Sequence, residues 1–255
     1  MRHSLLQLGR RSVVRTMRNP ALVAQGMIFP LFIFAFNVGG LDLATSLPGF
    51  PTESYVTFAL ALTFAYCGLY AVMVAGSQLG EDVRTGFIRR MTLTPMKGTT
   101  ILLAQLGGVI VFATVQAVLF LLIGLAAGAR VEAGIGGALL IVLLSAFFAL
   151  ALGSLVLMVA LVTRSSEAVQ AIFPLFIALL FFSSVGLPRE LIQTDWFQTV
   201  ATYNPVSYLI EAPRSLLVEG WDAQALLLGV LVGIGALATA LILTAGSIRS
   251  MSVAR

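Results

Sequence analysis

Apolar residues in this chain form six long runs, separated by short segments that carry all of the charged side chains. The runs cover approximately residues 21–39, 55–78, 99–128, 133–162, 168–187 and 223–247. At a rise of 1.5 Å per residue, a helix over each run is long enough to cross a hydrocarbon layer of about 30 Å. None of the runs contains Asp, Glu, Lys, Arg or His. The pattern predicts an all-α polytopic membrane protein with six transmembrane helices.

The composition supports lipid contact rather than a large soluble core. Hydrophobic residues make up 59% of the 255 positions and charged residues 10%, and the mean hydropathy is +1.01. A soluble chain carries roughly 25% charged residues because its surface faces water. Six spans with short connections use nearly the whole length, so residues 1–255 are predicted to form one membrane domain.

The distribution of charge predicts the orientation. If the first residues are cytoplasmic, twelve of the 15 basic residues fall on the cytoplasmic side and eight of the 11 acidic residues fall outside. Positive residues accumulate on the cytoplasmic side of bacterial membrane proteins. We therefore expect a multi-pass protein of the bacterial inner membrane with both termini in the cytoplasm. The net charge of +4 follows from topology and does not indicate nucleic-acid binding.

Residues 1–20 contain five arginines on one side of a potential helix and apolar residues on the other. This pattern predicts a helix that lies in the plane of the lipid headgroups. A loose basic tail that only fixes the orientation is the alternative.

Catalytic and metal-binding motifs do not occur in the sequence. It has one cysteine and one histidine, no phosphate-binding loop with its glycine spacing, and no ionisable residue in the six runs to bind a coupling ion. We expect no metal, no cofactor bound by this chain and no enzymatic activity. If the protein performs work, another subunit must supply the energy.

The cytoplasmic segment 79–98 has a pattern beyond that of a simple connection. Acidic residues precede basic ones, which suits a helix and its dipole, and apolar residues recur at helical spacing. We predict a short amphipathic helix over 81–95, with an ordinary charged loop as the alternative. The residues selected here are Glu81, Asp82, Arg84, Gly86, Phe87, Arg90, Thr94 and Pro95.

The outer segment 188–221 is too long for a simple loop and too polar for another span. Asn204 is a good N-cap and Pro205 a good first helical residue, so a helix should begin there. Trp196, Tyr208 and their aromatic neighbours suit a membrane interface. We predict two short helices that dip into the outer leaflet. The charged residues of the segment are interpreted as surface charges near headgroups: Glu190, Asp195, Glu211 and Arg214.

A short sequence recurs in the first and fifth runs. Residues 28–33 and 172–177 both read Ile-Phe-Pro-Leu-Phe-Ile. Pro30 and Pro174 each lack an amide hydrogen, so the carbonyl group four residues earlier, at Gly26 or Gln170, loses its helical partner and the helix should bend. Chance repetition in apolar sequence is the alternative explanation.

The chain resembles the permease subunit of ABC-2 (type V) exporters, of the daunorubicin-resistance type. The outer segment carries the most specific part of the likeness, through Leu187, Pro188, Trp196, Asn204, Pro205, Tyr208 and Arg214. Asp82, Gly86 and Thr94-Pro95 match the family's cytoplasmic motif, and Arg18-Asn19-Pro20 is a weaker match. The spacing from Leu187-Pro188 to Trp196 is longer than in the family pattern.

The resemblance implies roles for these segments. Residues 1–20 would be a connecting helix, 81–95 a coupling helix that docks on a separate ATPase, and 188–218 external helices that cap an exit. ATP and Mg would bind to two ATPase subunits, and a second copy or a homologous permease would complete the transporter. Spans one and five would meet at the dimer seam, with a hydrophobic translocation path past Phe29, Pro30, Phe32, Phe173, Pro174 and Phe176.

This resemblance predicts outward movement of a hydrophobic or amphipathic drug, lipid or glycolipid. The first alternative is an ion-driven secondary carrier, which the charge-free runs disfavour. The second is a non-transporting membrane scaffold, or an enzyme with its active site in the outer segment.

Overall fold

A computed structural model describes residues 14, 20–46, 48–52, 54–84, 98–163 and 166–253. These residues are helical or lie in turns and connections, with no strand among them. Two 3-10 turns lie at Asp42–Ser46 and Arg189–Leu191. The α-helices, numbered here α1 to α8 in chain order, are Pro20–Leu41, Tyr55–Arg84, Gly98–Ala126, Gly134–Thr163, Ser166–Phe181, Asp195–Tyr203, Pro205–Val218 and Ala223–Val253.

Each predicted apolar run overlaps with one of the six longer helices. Three described stretches are long and apolar enough to cross a membrane: Leu106–Ala126 in α3, Gly134–Ala160 in α4 and Ala223–Thr244 in α8. Three shorter apolar stretches are Gly26–Leu41 in α1, Tyr55–Tyr70 in α2 and Ala171–Phe181 in α5. The described part of the chain therefore contains three candidate membrane spans and three shorter apolar helices.

Helix α2 lies at the centre of the bundle and packs against α1, α3, α4, α5 and α7. Apart from Thr57 and Thr63, its first four turns are apolar on all sides, which predicts a helix surrounded by other helices. Tyr55, Phe58, Leu60 and Leu69 are almost completely buried. In contrast, α1 and α8 leave large apolar side chains exposed, among them Ile28, Phe36 and Ile242. Those faces suit contact with lipid.

The three segments predicted to lie outside meet at one end of the bundle. The Arg130 amide, between α3 and α4, donates to the Thr57 hydroxyl near the start of α2 at 3.1 Å. The Ala133 amide donates to the Leu216 carbonyl at the end of α7, also at 3.1 Å. Segments that are separated by an even number of membrane crossings must lie on the same side of the membrane, so contact between these three segments is expected. We call it the outer end.

The fifth apolar run is helical over less of its length than predicted. The run extends to residue 187, but α5 ends at Phe181 and turns follow it. Residues 182–187 are apolar or small, so hydropathy alone did not distinguish this turn from helix. The turn is stabilised by side chains from α7 and its N-terminal cap, as described below.

Several predicted features lie wholly or partly outside the described residues. Residues 1–20 are described only at Val14 and Pro20, both helical. Of the cytoplasmic segment, residues 81–84 continue α2 without a break. The remaining selected positions fall outside the described part of the chain: Gly86, Phe87, Arg90, Thr94 and Pro95.

Candidate functional site

The predicted start of α7 is confirmed. Asn204 is the N-cap, its side-chain oxygen accepts a hydrogen bond from the Val206 amide at 2.9 Å, and Pro205 is the first helical residue. The asparagine oxygen satisfies one of the amides that a helix start leaves free. This local chemistry fixes where α7 begins.

The amide nitrogen of Asn204 has a second role that the sequence did not indicate. It donates to the carbonyl oxygens of Leu179 and Phe182, at 2.6 and 2.9 Å. Those carbonyls lie at the C-terminal end of α5, where a helix has no backbone donors left. One side chain therefore caps α7 and at the same time satisfies the end of α5.

Arg214 extends this connection to the turn after α5. Its guanidinium group donates to the Ser184 carbonyl at 2.6 Å and to the Val185 carbonyl at 3.0 Å. The carbon Cζ lies 3.9 Å from the centroid of the Phe58 ring in α2, a cation–π contact. Arg214 is only 6% exposed, so its interpretation as a surface charge near headgroups is wrong. The planar guanidinium reaches two carbonyls and an aromatic face together.

A third contact joins the same elements. The Ser207 hydroxyl in α7 accepts from the Ser184 amide at 3.2 Å and donates to the Ala201 carbonyl in α6 at 2.7 Å. We call this network of Ser184, Asn204, Ser207 and Arg214 the outer junction. It joins α5, α6 and α7 to α2 through buried hydrogen bonds. Two buried atoms of the network, Ser184 Oγ and Arg214 Nε, have no hydrogen-bond partner among the described residues.

Three other selected outer residues, Leu187, Pro188 and Tyr208, lie around this junction. Tyr208 donates through its hydroxyl to the Thr202 carbonyl at 2.8 Å, and Arg189 lies over its ring at 4.8 Å. Arg189 also pairs with Glu211 at 2.6 Å. Pro188 precedes the 3-10 turn at Arg189–Leu191, and Leu187 is half-buried.

Trp196 lies apart from the junction. It is 61% exposed on α6, and its ring meets Phe197 edge to face at 5.5 Å. An exposed indole ring is suited to a membrane interface.

A charged cleft of about 440 Å³ opens beside the outer junction. Burial raises the pKa of Glu219, and the nearby carboxylates of Asp222 and Glu190 raise it further. Burial also lowers the pKa of Arg214 to about 10, an effect opposed by Glu211. Arg214 therefore remains charged at neutral pH. The charged residues that line the cleft are Arg189, Glu190, Glu211, Arg214, Glu219 and Asp222.

An apolar groove of about 490 Å³ lies on the other side of α7. Helices α4, α5 and α8 form most of its wall, with Leu69 of α2 and the first turns of α7. Phe176, selected for the translocation path, lines the groove and is 9% exposed. The groove can accept hydrocarbon, since its walls present mainly methyl and methylene groups.

The two repeated sequences of the first and fifth runs converge on one residue. The Phe29 ring in α1 and the Phe173 ring in α5 lie 5.8 and 6.1 Å from the ring of Tyr70 in α2. Phe32 instead is 63% exposed and stacks on Phe36. Pro30 is buried and Pro174 exposed. The structure thus brings together Phe29 and Phe173, while Phe32 faces away from the bundle.

The amide donors of Asn204 give a testable expectation. Asn204→Asp keeps the oxygen that caps α7 but removes both donors to the end of α5. It should lower the free energy of unfolding in detergent micelles by about 2 kcal/mol, since buried carbonyls lose their partners. Asn37→Asp is the control, because the hydrogen bond that Asn37 donates among the described residues lies within its own helix, to Ile33. Equal losses in the two variants would contradict the role of Asn204 as a connection between helices.

Comparison with known proteins agrees with this architecture. Residues 3–218 match the family model described as ABC-2 type transporter. Over 231 residues the chain is 27% identical to a protein of Pyropia yezoensis named as a putative transport permease, ycf38, covering 84% of this chain and 75% of that protein. The family implies association with ABC ATPase subunits, which hydrolyse ATP in place of the permease. The match covers most of the chain, including the outer junction and the apolar groove up to α7, so this protein belongs to the ABC-2 type transporter family and is a membrane transport permease subunit.

Proposed function

We propose that this chain is the transmembrane half of an ATP-driven exporter of the bacterial inner membrane, with six spans and both termini in the cytoplasm. Its cargo is a hydrophobic or amphipathic molecule such as a drug, a lipid or a glycolipid. ATP and Mg bind to two separate ATPase subunits, and a second permease copy or a homologous permease completes the assembly. The observation that carries this proposal is the match to the transporter family over residues 3–218.

The central helix α2 provides the mechanical link in this proposal. It has 30 residues and is therefore about 45 Å long. One end leads directly into the proposed coupling segment 81–95. The other end holds Phe58 against Arg214 of the outer junction. Force from an ATPase at the inner end of such a helix reaches the outer helices α6 and α7 without passing through a loop.

The outer helices act as a gate. Helix α7 separates the apolar groove from the charged cleft, since Val206 and Leu209 line the groove while Glu211 and Arg214 line the cleft. A hydrophobic cargo on the membrane side must pass α7 to reach water. Short helices embedded in the outer leaflet suit this task, because backbone at that depth must be helical or shielded by protein.

The ion-driven carrier remains the principal rival. Among the residues that the structure describes, Arg214 is the buried residue with a charged side chain, so it is the one to consider for ion coupling. A proton carrier needs a group that binds and releases its proton near neutral pH. Burial brings the pKa of Arg214 only to about 10, and two of its nitrogens are held by backbone carbonyls. These features suit a structural cation.

Copurification with an ATPase subunit is the first test of this function. Full-length protein extracted in mild detergent should carry a nucleotide-binding subunit with it, and export of a lipophilic dye from vesicles should require ATP. Efflux driven by a proton gradient in ATP-depleted vesicles would instead establish the ion-driven carrier. Recovery of the chain without any ATPase, and with no transport, would support the alternative of a non-transporting membrane scaffold.

The coupling segment gives a second prediction. Gly86→Arg combined with Phe87→Glu should abolish dye export and the stimulation of ATP hydrolysis, because bulky charged groups disrupt a compact docking surface. Membrane insertion should be unchanged. The matched control is Gly40→Arg with Leu41→Glu, at the outer end of α1. A Cβ added at Gly40 meets nothing within 4 Å among the described residues, and Leu41 is 41% exposed. Normal stimulation in the first variant would remove the case for this segment.

A further inference from the structure

A buried glutamine connects α3 to α1 deep within the bundle. Gln116 lies in the middle of α3 and is 1% exposed. Its side-chain nitrogen donates to the backbone carbonyl of Gly26 in α1. A neutral amide is costly to bury in an apolar bundle unless it is paired, so its partner explains its position.

The partner is the carbonyl that proline makes available. Within a helix the Gly26 carbonyl would accept from the amide of residue 30, but residue 30 is Pro30, which has no amide hydrogen. The Gln116 side chain supplies the missing donor from another helix. A single side chain from α3 thus replaces the backbone hydrogen bond that α1 lacks at Pro30. We call this gap in the hydrogen bonds of α1, which continues as a helix through Pro30, the proline break.

The surrounding contacts place Gln116 for this bond. A Cβ atom added at Gly26 would lie 2.9 Å from Cζ of Phe112, one turn before Gln116 on α3. Glycine therefore lets the two helices approach closely enough for the amide to reach. The other amide atom, Oε1, has no hydrogen-bond partner among the described residues. An unpaired buried acceptor destabilises the fold, which indicates that the residue is present for its donor group.

We propose that Gln116 is a positioning residue that fastens the proline break of α1 to α3. Helix α3 begins directly after the proposed coupling segment, at Gly98, so movement of α3 pulls on α1 at the position where α1 lacks its own hydrogen bond. The break lies beside Phe29, whose ring contacts Tyr70 of α2. In this proposal, a movement of α3 shifts α1 at the proline break and so moves the Phe29 ring relative to Tyr70. The role in transport rests on the proposed function, whereas the fastening itself is a property of the chain alone.

A double-mutant cycle tests the fastening. The variants are Gln116→Leu, Pro30→Ala and their combination, made in the full-length chain in lipid nanodiscs, with hydrogen exchange of the backbone of residues 26–34 as the readout. With Pro30 present, Gln116→Leu should speed exchange about five- to tenfold, the effect of one buried hydrogen bond. With Pro30→Ala, the new amide satisfies Gly26, and Gln116→Leu should change exchange by less than about twofold. If the effect of Gln116→Leu depends on Pro30 in this way, it comes from the hydrogen bond to Gly26 and not from a general change in packing.

Two further variants complete the experiment. Thr114→Val is the control on the same helix, since the Thr114 hydroxyl bonds to Ile110 within α3; it should leave exchange in α1 unchanged. Gln116→Met has a side chain of similar length with no hydrogen-bond donor; it replaces leucine if that variant does not fold. Equal acceleration in the wild-type and Pro30→Ala backgrounds, or none in either, overturns the proposal.

The transport role has a separate readout. In the complex with its ATPase, Gln116→Leu should reduce stimulated ATP hydrolysis at least about fivefold while the amount of assembled complex is unchanged. Unchanged stimulation overturns the transport role of Gln116. If the wild-type chain binds no ATPase, the proposed function fails, and the exchange experiment still decides whether Gln116 fastens the break.

Discussion

Arg214→Met should lower the free energy of unfolding by about 3 kcal/mol, because the carbonyls of Ser184 and Val185 lose two charge-assisted hydrogen bonds. The turn after α5 should separate from the third turn of α7, because Arg214 in that turn donates to both carbonyls. The measurement is denaturant unfolding in mixed micelles, together with protease cleavage in the turn at residues 182–188.

Two variants give this result its meaning. Arg214→Lys keeps the positive charge but has no planar fork to reach two carbonyls, so it should recover less than half of the loss. Arg130→Met removes an exposed arginine at the same end of the bundle. The substitution keeps the backbone amide of residue 130, which bonds to Thr57. This control should change stability by less than about 0.5 kcal/mol. Full recovery with lysine would show that charge alone matters.

The loss of function should exceed the loss of stability. Arg214 joins α2 to α7, and in the proposed mechanism this contact transmits movement from the cytoplasmic side to the gate. Export should therefore fail in Arg214→Met even at a temperature where the variant is folded. Retained export in a folded variant would show that force reaches the outer helices by another route.

Sequence reasoning was most successful where local chemistry decides the structure. Asn204 and Pro205 predict a helix start because the capping oxygen and the missing amide of proline act within two residues. The long apolar runs predicted helices because a backbone in lipid must bond to itself. Neither inference needed to know which helices are neighbours.

Sequence reasoning failed where a side chain bonds to a distant part of the chain. Arg214 was interpreted as a surface charge, yet its acceptors lie 29 and 30 positions earlier. Gln116 was not selected, and its acceptor is 90 positions away. A polar residue within an apolar run was the available signal in that case. Proline at position 30 identified the free carbonyl but not its donor, because the donor depends on helix packing.

A final expectation concerns the seam between α7 and α8. Gly229 of α8 faces α7 so closely that an added Cβ would lie 2.6 Å from Cβ of Ala212 and 2.9 Å from the carbonyl oxygen of Tyr208. The carbonyl is backbone and cannot rotate away, so Gly229→Ala must push α7 off α8. We expect a loss of about 1–3 kcal/mol, as for other overpacked sites, despite the better helix propensity of alanine.

The position of Gly229 makes this variant a test of the gate. On α8, Leu228 lines the charged cleft and Val232 lines the apolar groove, so the contact at Gly229 lies between the two cavities. Separating the helices there should join the cavities and allow a lipophilic dye to leak without ATP. Gly235→Ala is the control on the same helix, because nothing lies within 4 Å of its added Cβ. A destabilised Gly229→Ala variant that still exports without leakage would show that α7 does not separate the cargo from water.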